Sequence, residues 1–486
     1  MLQLIKKIFS LSFLYGFSSI SYKLVGLFLL PIYTRYLTPT EFGVYAIALI
    51  GIMFFEAFVS MGIPSAFFRF FYDFRDTKQR NELISTTYLF VTFTSLILIL
   101  FLFSIRGQLL PRLFIREEYY LCFYLTIFLS MMEPPQVIAF HYFRAAEQVK
   151  KYCFFNLLRS AVLFFCAWFF LAIMKYGIFS PFIARMISTF PTYLYLSWAI
   201  ISRHGIRFSS RKFKEMFAFG LPFFVVSLMG IIMSSLDRPI LLKYMSMADV
   251  GIYSVAFRVA SGVKFLIVSA FALGWSPMIM NIKSQQNGPE LFSKLFTYYL
   301  LVAGAIVLAV SLYAKDILTI LVTPRFISAY VVIPLLCLGH LFYGLYHNLE
   351  VGIFITKKSK YYIPILGVGS AAYIILNLLL IPKFGYLGAG IASASSFFLI
   401  PIVTFLLGRK LYYIRYEYIR ICKIFTCLIL VYLLGMWVPF QQFPQSLIKN
   451  FIILLCFPFL LLAIGFFKKN ELIWVTRKIT SNFSHS

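Results

Sequence analysis

Runs of roughly twenty apolar residues recur from one end of this chain to the other, as in "TTYLFVTFTSLILILFLFS" at 86–104. Each run is long enough to cross about 30 Å of hydrocarbon as a helix. Over 486 residues, 61% are hydrophobic and 13% charged, whereas a soluble domain carries about a quarter charged residues. No aqueous fold could bury that many runs. Lipid offers backbone groups no water, so the spans must be helices; strands of a barrel would alternate apolar and polar residues, and these do not. The chain reads as an all-α polytopic membrane protein. Fourteen spans are expected, centred near residues 22, 53, 95, 129, 164, 188, 226, 262, 302, 339, 371, 396, 428 and 457. Lys6 and Lys7 before an apolar run imitate a secretory signal, but no small-residue cleavage site follows, and the run is expected to be the first permanent span.

A net charge of +27 raises the question of nucleic acid. Its distribution argues against that partner. With the N-terminus inside, most of the 44 lysines and arginines fall in cytoplasmic segments, concentrated in 203–214, 409–423 and 468–478. This is the positive-inside bias, and it predicts both termini in the cytoplasm, with contacts to anionic membrane lipid. The seven cysteines lie in or beside spans and form no CxxC pair, so they read as small apolar residues rather than disulfides or metal ligands. No connecting segment is long enough for a soluble catalytic domain. The chain is expected to be a transporter rather than an enzyme, with no cofactor and no metal.

One short sentence is spoken twice. "RYLTPTEFGVYAIA" begins at Arg35 and "KYMSMADVGIYSVA" at Lys243. Tyr36, Gly43, Tyr45 and Ala48 match Tyr244, Gly251, Tyr253 and Ala256; Thr38 and Glu41 are answered by Ser246 and Asp249. Locally each is a helix start: Thr38 and Glu41 have capping-box spacing with Pro39 in the first turn, and Ser246 with Asp249 repeats it. The same offset continues backwards. Ser12, Gly16, Ser19, Lys23 and Gly26 share one helical stripe, and Gly220, Ser227 and Ser234 stand at the equivalent places of Ser12, Ser19 and Gly26. A small and polar stripe in lipid faces other helices or water. Six spans separate the copies, so both cross the membrane in the same direction. The expected architecture is two six-helix lobes in parallel pseudo-repeat, residues 1–205 and 206–410, followed by two further helices in 411–486. Parallel repeats of this kind point to alternating access around a mid-membrane site. The basic stretch 202–214 is the expected cytoplasmic hinge.

"FLLPIYTRYLTPTEFGVYAIA" (28–48) resembles the signature of bacterial polysaccharide-unit flippases, in the multidrug/oligosaccharidyl-lipid/polysaccharide exporter superfamily. "IPKFGYLGAGIASASSF" (381–397) resembles a second feature of that family at the twelfth span. The resemblance covers essentially the whole chain. It implies a flippase that moves an undecaprenyl-diphosphate-linked oligosaccharide, for O-antigen, capsule or exopolysaccharide, from the inner to the outer leaflet of the bacterial cytoplasmic membrane. It further implies a glycan polymerase and chain-length machinery as candidate partners, and H+ or Na+ as a candidate coupling ion. Lipid II flippases and multidrug or cation exporters of the same superfamily are the alternatives.

The residues themselves carry a related signal. An ionisable group at mid-membrane costs a few kcal/mol on the mildest scales. Lys23, Arg159, Arg185, Arg258 and Lys264 accept that cost, as do Glu56, Glu133 and Glu350. The excess is cationic. Arg and Lys lining a cavity would replace the counterions of a diphosphate, whereas a cation exporter should line its cavity with acids. Lys23 and Arg258 are the foremost candidates, then Lys264 and Arg185; Arg159 lies close enough to an end to snorkel. Glu56 and Glu133 are candidates for charge balance or coupling, and Pro134–Pro135 should bend the span beside Glu133. His340, His347 and Glu350 fall near one face of the tenth span, with proton handling as one reading and a packed polar cluster as the other.

Overall fold

The computed structural model describes residues 25–74, 76–113, 116–438 and 443–467. Among them the regular structure is helical. The principal helices are α1 (Pro39–Ser60), α2 (Thr77–Ser104), α3 (Tyr120–Ala145), α4 (Val149–Trp168), α5 (Phe179–His204) and α6 (Ser210–Ser235). They are followed by α7 (Met247–Lys264), α8 (Gly288–Leu312), α9 (Ile333–Leu349), α10 (Tyr362–Gly408), α11 (Tyr418–Trp437) and α12 (Gln445–Ala463). Residues 25–36 are helical as well, although the centre expected for the first span lies outside the described residues.

Among the described residues, ten helices are long and apolar enough to cross a membrane. The expectation of fourteen spans is roughly consistent with this. α10 has 47 residues, about 70 Å of helix and enough for two crossings. Gly385 divides it, at φ 57°, where a left-handed backbone breaks the helical course. Pro324–Val331 and Ile333–Ile355 form a further pair bent by 50°. α5 has 26 residues but carries Arg185 and many Ser, Thr and Tyr side chains, which dilute its hydropathy. Every described span centre expected from the sequence falls within a helix.

Both expected capping boxes form. The Thr38 hydroxyl accepts from the Glu41 N–H, while the Glu41 carboxylate accepts from the Thr38 N–H at 2.7 Å. Ser246 and Asp249 do the same, with the Ser246 N–H donating at 3.1 Å. These caps aim α1 and α7 at one another, and the two helices pack together. Their crossing leaves no room for side chains. A Cβ on Gly43 would stand 2.1 Å from the Met247 carbonyl oxygen, and one on Gly251 would stand 1.9 Å from that of Pro39. The matched glycines of the repeat are therefore the contact itself.

α1 also meets the second half at its other end. Gly62, at φ 73°, approaches the Gly220 carbonyl so closely that a Cβ would lie 2.0 Å away, and Phe58 packs edge-on against Phe224. α3, α4 and α5 pack on each other within the first half, and α8, α9 and α10 on each other or on α7 within the second. α11 and α12 pack together and rest on α8. The buried Asp316 fastens this pair: its carboxylate accepts from the Ser446 hydroxyl and, at 2.7 Å, from Asn450. α3 continues through Pro134–Pro135 without interruption.

The stretch 202–214 is pinned to the first half. Ser85 donates to the Gly205 carbonyl and accepts from the Arg207 N–H, each at 2.8 Å; Thr86 accepts from the Ser209 N–H at 3.0 Å. Lys212 bonds Glu82 at 2.6 Å. These bonds tie residues 205–212 to α2.

Candidate functional site

The described residues expected to carry function divide among three polar clusters. The first is an ionic knot within the first half. Glu133 on α3 accepts from Arg185 of α5 through both oxygens, at 2.7 and 2.8 Å, and from Arg159 of α4 at 2.8 Å. Glu133 is 4% exposed and Arg159 7%. The bidentate fork fixes Arg185 in plane with the carboxylate. Glu56 of α1 lies within electrostatic reach of all three groups. Two acids thus stand beside two guanidinium groups. The sequence counts Arg159 and Arg185 among cavity cations; the structure places them on Glu133, whose carboxylate at matching depth offsets part of the cost of the two buried charges.

Arg258 is placed differently. It lies half-buried on α7, facing the first half of the chain. Its guanidinium carbon is 4.9 Å from the Phe42 ring centre, 5.4 Å from Tyr45 and 5.7 Å from Tyr33, and one nitrogen donates to the Gly26 carbonyl at 3.3 Å. No carboxylate pairs with it among the described residues. Its neighbours are aromatic faces and a backbone oxygen, which satisfy a guanidinium only in part. The same junction is closed by Thr323, whose hydroxyl donates to the Thr34 carbonyl at 2.9 Å, and by the Phe42–Phe326 edge contact. Lys23 lies outside the described residues.

The third cluster lies in the second half, around Lys264 and α9. The Lys264 ammonium stands 4.9 Å from the Tyr343 ring centre. α7 passes into a π-helical turn at Phe265–Ser269, and Tyr299 donates to the Ile267 carbonyl there at 3.1 Å. Such turns re-aim side chains and recur at functional sites. His340 is 4% exposed between the Phe257 and Phe397 rings, within electrostatic reach of Lys264, and neither of its ring nitrogens meets a protein partner. His347 lies two turns further on and bonds Glu350 at 3.0 Å. The shared face expected for His340, His347 and Glu350 therefore holds one bonded pair and one separate imidazole. No group of three or more His, Cys, Asp or Glu side chains suited to a metal occurs among the described residues.

Sequence reasoning missed one charged pair. Asp237 is 0% exposed and Arg238 5%. The Tyr253 hydroxyl donates to Asp237, Arg238 bonds it at 3.4 Å, and Tyr373 lies beside the same carboxylate. Arg238 also sits 3.9 Å from the Phe257 ring centre. The signal was present: Tyr253 is the repeat partner of Tyr45, and each tyrosine ring lies beside an arginine, Arg238 at 5.6 Å and Arg258 at 5.4 Å.

Comparison with known proteins places this geometry in context. Residues 32–332 match the family model described as "Polysaccharide biosynthesis protein". An uncharacterised membrane protein of Methanocaldococcus jannaschii is 25% identical over 260 residues, 52% of this chain. The match spans only 48% of that relative's length. Among solved structures, the lipid II flippase MurJ in an inward closed conformation superposes with a TM-score of 0.70 at 16% identity, over 92% of this chain and 98% of its own. An inward-facing multidrug resistance MATE family transporter gives 0.63 at 13% identity, over 80% and 94%. A MATE transporter of Vibrio cholerae gives 0.59 at 14% identity, over 84% and 97%. At these identities the likeness is one of fold.

Proposed function

We propose that this chain, which belongs to the family described as polysaccharide biosynthesis proteins, is a lipid-linked flippase of the multidrug/oligosaccharidyl-lipid/polysaccharide exporter superfamily and carries an undecaprenyl-diphosphate-linked oligosaccharide from the inner to the outer leaflet of a bacterial cytoplasmic membrane. In this reading, residues 1–205 and 206–410 are two lobes that rock about α1 and α7, 411–486 is an appendage, and both termini are cytoplasmic. The observation that carries the reading is Arg258. It sits where the two halves meet, half-buried, with no carboxylate partner among the described residues. A cation left so at a junction is ready for an anion, and a diphosphate offers oxygens for its planar fork. Lys264 and Lys23 are the further candidates for that contact. Arg159, Arg185, Glu133 and Glu56 hold the first lobe together, with Glu56 and Glu133 as its internal charge balance. Tyr343, partly exposed beside Lys264, supplies an aromatic face and a hydroxyl for sugars. His340, His347 and Glu350 are the candidates for coupling to H+ or Na+.

The test is glycan export in a host that depends on this protein. Arg258→Ala should abolish surface glycan at unchanged protein level, and Arg258→Lys should retain a part. Full export by Arg258→Ala would refute the role of this cation.

A further inference from the structure

The Arg258 side chain belongs to the second half of the chain, yet the groups that hold its guanidinium belong to the first. Phe42, Tyr45 and Tyr33 present buried rings at 4.9, 5.4 and 5.7 Å, and the Gly26 carbonyl accepts from one nitrogen at 3.3 Å. The rings brace one another. Tyr45 meets Tyr33 at 5.4 Å and Phe42 at 6.4 Å, and Phe182 of α5 backs it at 5.5 Å. Together they form a cup fixed to the first half, and Arg258 reaches into it from α7.

A guanidinium is planar, and it either stacks flat on a ring or turns its N–H edges to one. The rings of Tyr33 and Phe42 are inclined at 75° and 63° to that of Tyr45. They cannot all lie flat on one plane, so N–H edges are turned to aromatic faces as well as to Gly26. A diphosphate needs those same edges, since its oxygens pair with the planar fork. Cup and anion therefore compete for one set of donors. Aromatic faces and a single carbonyl satisfy a guanidinium only in part, whereas phosphate oxygens satisfy its charge and its donors together.

Withdrawal of the cup follows from the fold. Phe42 precedes Gly43, where α1 and α7 touch backbone to backbone, and Tyr33 precedes Thr34, whose carbonyl receives the Thr323 hydroxyl at 2.9 Å. A movement that parts the halves at this level draws all three rings away from Arg258 together. We propose that the cup is a latch: Phe42, Tyr45 and Tyr33 withhold Arg258 from its anion while the halves are joined here, and binding of a diphosphate favours the parted state. The inference rests on Arg258 as the anion contact of the proposed function and adds which state presents it.

The probe is undecaprenyl diphosphate, titrated onto the purified full chain in detergent, with undecaprenol as the uncharged control. Phe42→Leu and Tyr45→Leu each remove one ring and should tighten diphosphate binding about fivefold, because the competent fraction rises as the latched state weakens. Tyr45→Phe keeps the ring and should bind as the parent does. Gly251→Ala keeps all three rings but parts the crossing, and it should tighten binding as well. Gel filtration first establishes that each variant is monodisperse. Spin labels at Arg35→Cys and Arg325→Cys, exposed beside the Thr34–Thr323 bond, read the same event with the cup intact, in a chain whose native cysteines are replaced by alanine. Their separation should lengthen with undecaprenyl diphosphate and stay unchanged with undecaprenol. Binding by Arg258→Ala as tight as the parent's would refute Arg258 as the anion contact, and the inference with it. Loss of binding in Arg258→Ala, with no tightening in Phe42→Leu and Tyr45→Leu, would overturn the latch alone, as would an unchanged label separation. Equal tightening in Tyr45→Phe and Tyr45→Leu would assign the effect to the hydroxyl and overturn the cup of rings.

Discussion

Glu133 holds two guanidinium groups with one carboxylate, at 2.7 to 2.8 Å, in a place where water does not compensate its loss. Removing one partner of such a group strands the others, typically at about 3–5 kcal/mol. Glu133→Ala is therefore expected to lower the thermal midpoint of the purified protein and its level in the membrane. Adding Arg185→Gln to Glu133→Gln should restore part of that loss, because it removes one stranded charge. An unchanged midpoint in Glu133→Ala would mean that the knot contributes no stability. The depth of these charges was legible in the sequence, but their partners were not. Arg159 and Arg185 stand 26 and 52 residues from Glu133, and only the packing of α3, α4 and α5 determines which cation reaches it. Asp237 and Arg238 escaped for a related reason. They follow the apolar run of α6 and read as a connecting segment, yet Tyr253 and Phe257 fold over them from α7.

At the scale of elements, local signals were legible and remote contacts were not. The caps at Thr38 and Ser246 could be read directly, because a capping box closes within four residues. Ser246→Ala should cost about 1 kcal/mol, and Asp249→Ala a similar amount, since each removes a partner of the same box. The match of Gly43 with Gly251 was visible as a repeat, but its meaning came from the crossing of α1 and α7. A side chain at either glycine drives a Cβ to 2.1 or 1.9 Å from a backbone carbonyl oxygen, far inside van der Waals contact. Gly43→Val or Gly251→Val should push α1 and α7 apart, and transport should fall even where the protein reaches the membrane. A cysteine pair placed beside the crossing would read the separation by cross-linking; wild-type cross-linking in Gly251→Val would contradict this. At the other end of the chain, Asp316→Ala should loosen α12 from α8 and make the helix pair more open to protease. Its docking bonds join residues 130 or more apart, which no spacing in the sequence announces.

For the whole molecule, hydropathy was sufficient for the helical class and for the placing of spans, because in lipid each helix satisfies its own backbone. Where length and apolarity part company, as in α5, or where one helix serves two crossings, as in α10, the sequence and the structure still agree on position. The topology makes a plain prediction: a reporter placed near Lys175 should face outward and one after the last residue should face the cytoplasm, given the basic bias of the alternate segments. The reverse orientation would exchange the two leaflets in the proposed cycle. The central claim is that the junction around Arg258 passes an anionic, diphosphate-linked glycan across the membrane. Its most direct measurement uses the purified protein in liposomes loaded with an undecaprenyl-diphosphate-linked oligosaccharide, following the glycan's exposure to an external lectin or glycosidase. The account predicts exposure that requires the protein, is competed by other polyprenyl-diphosphate glycans and is lost in Arg258→Ala. Equal rates with and without the protein, or an undiminished rate in Arg258→Ala, would contradict it.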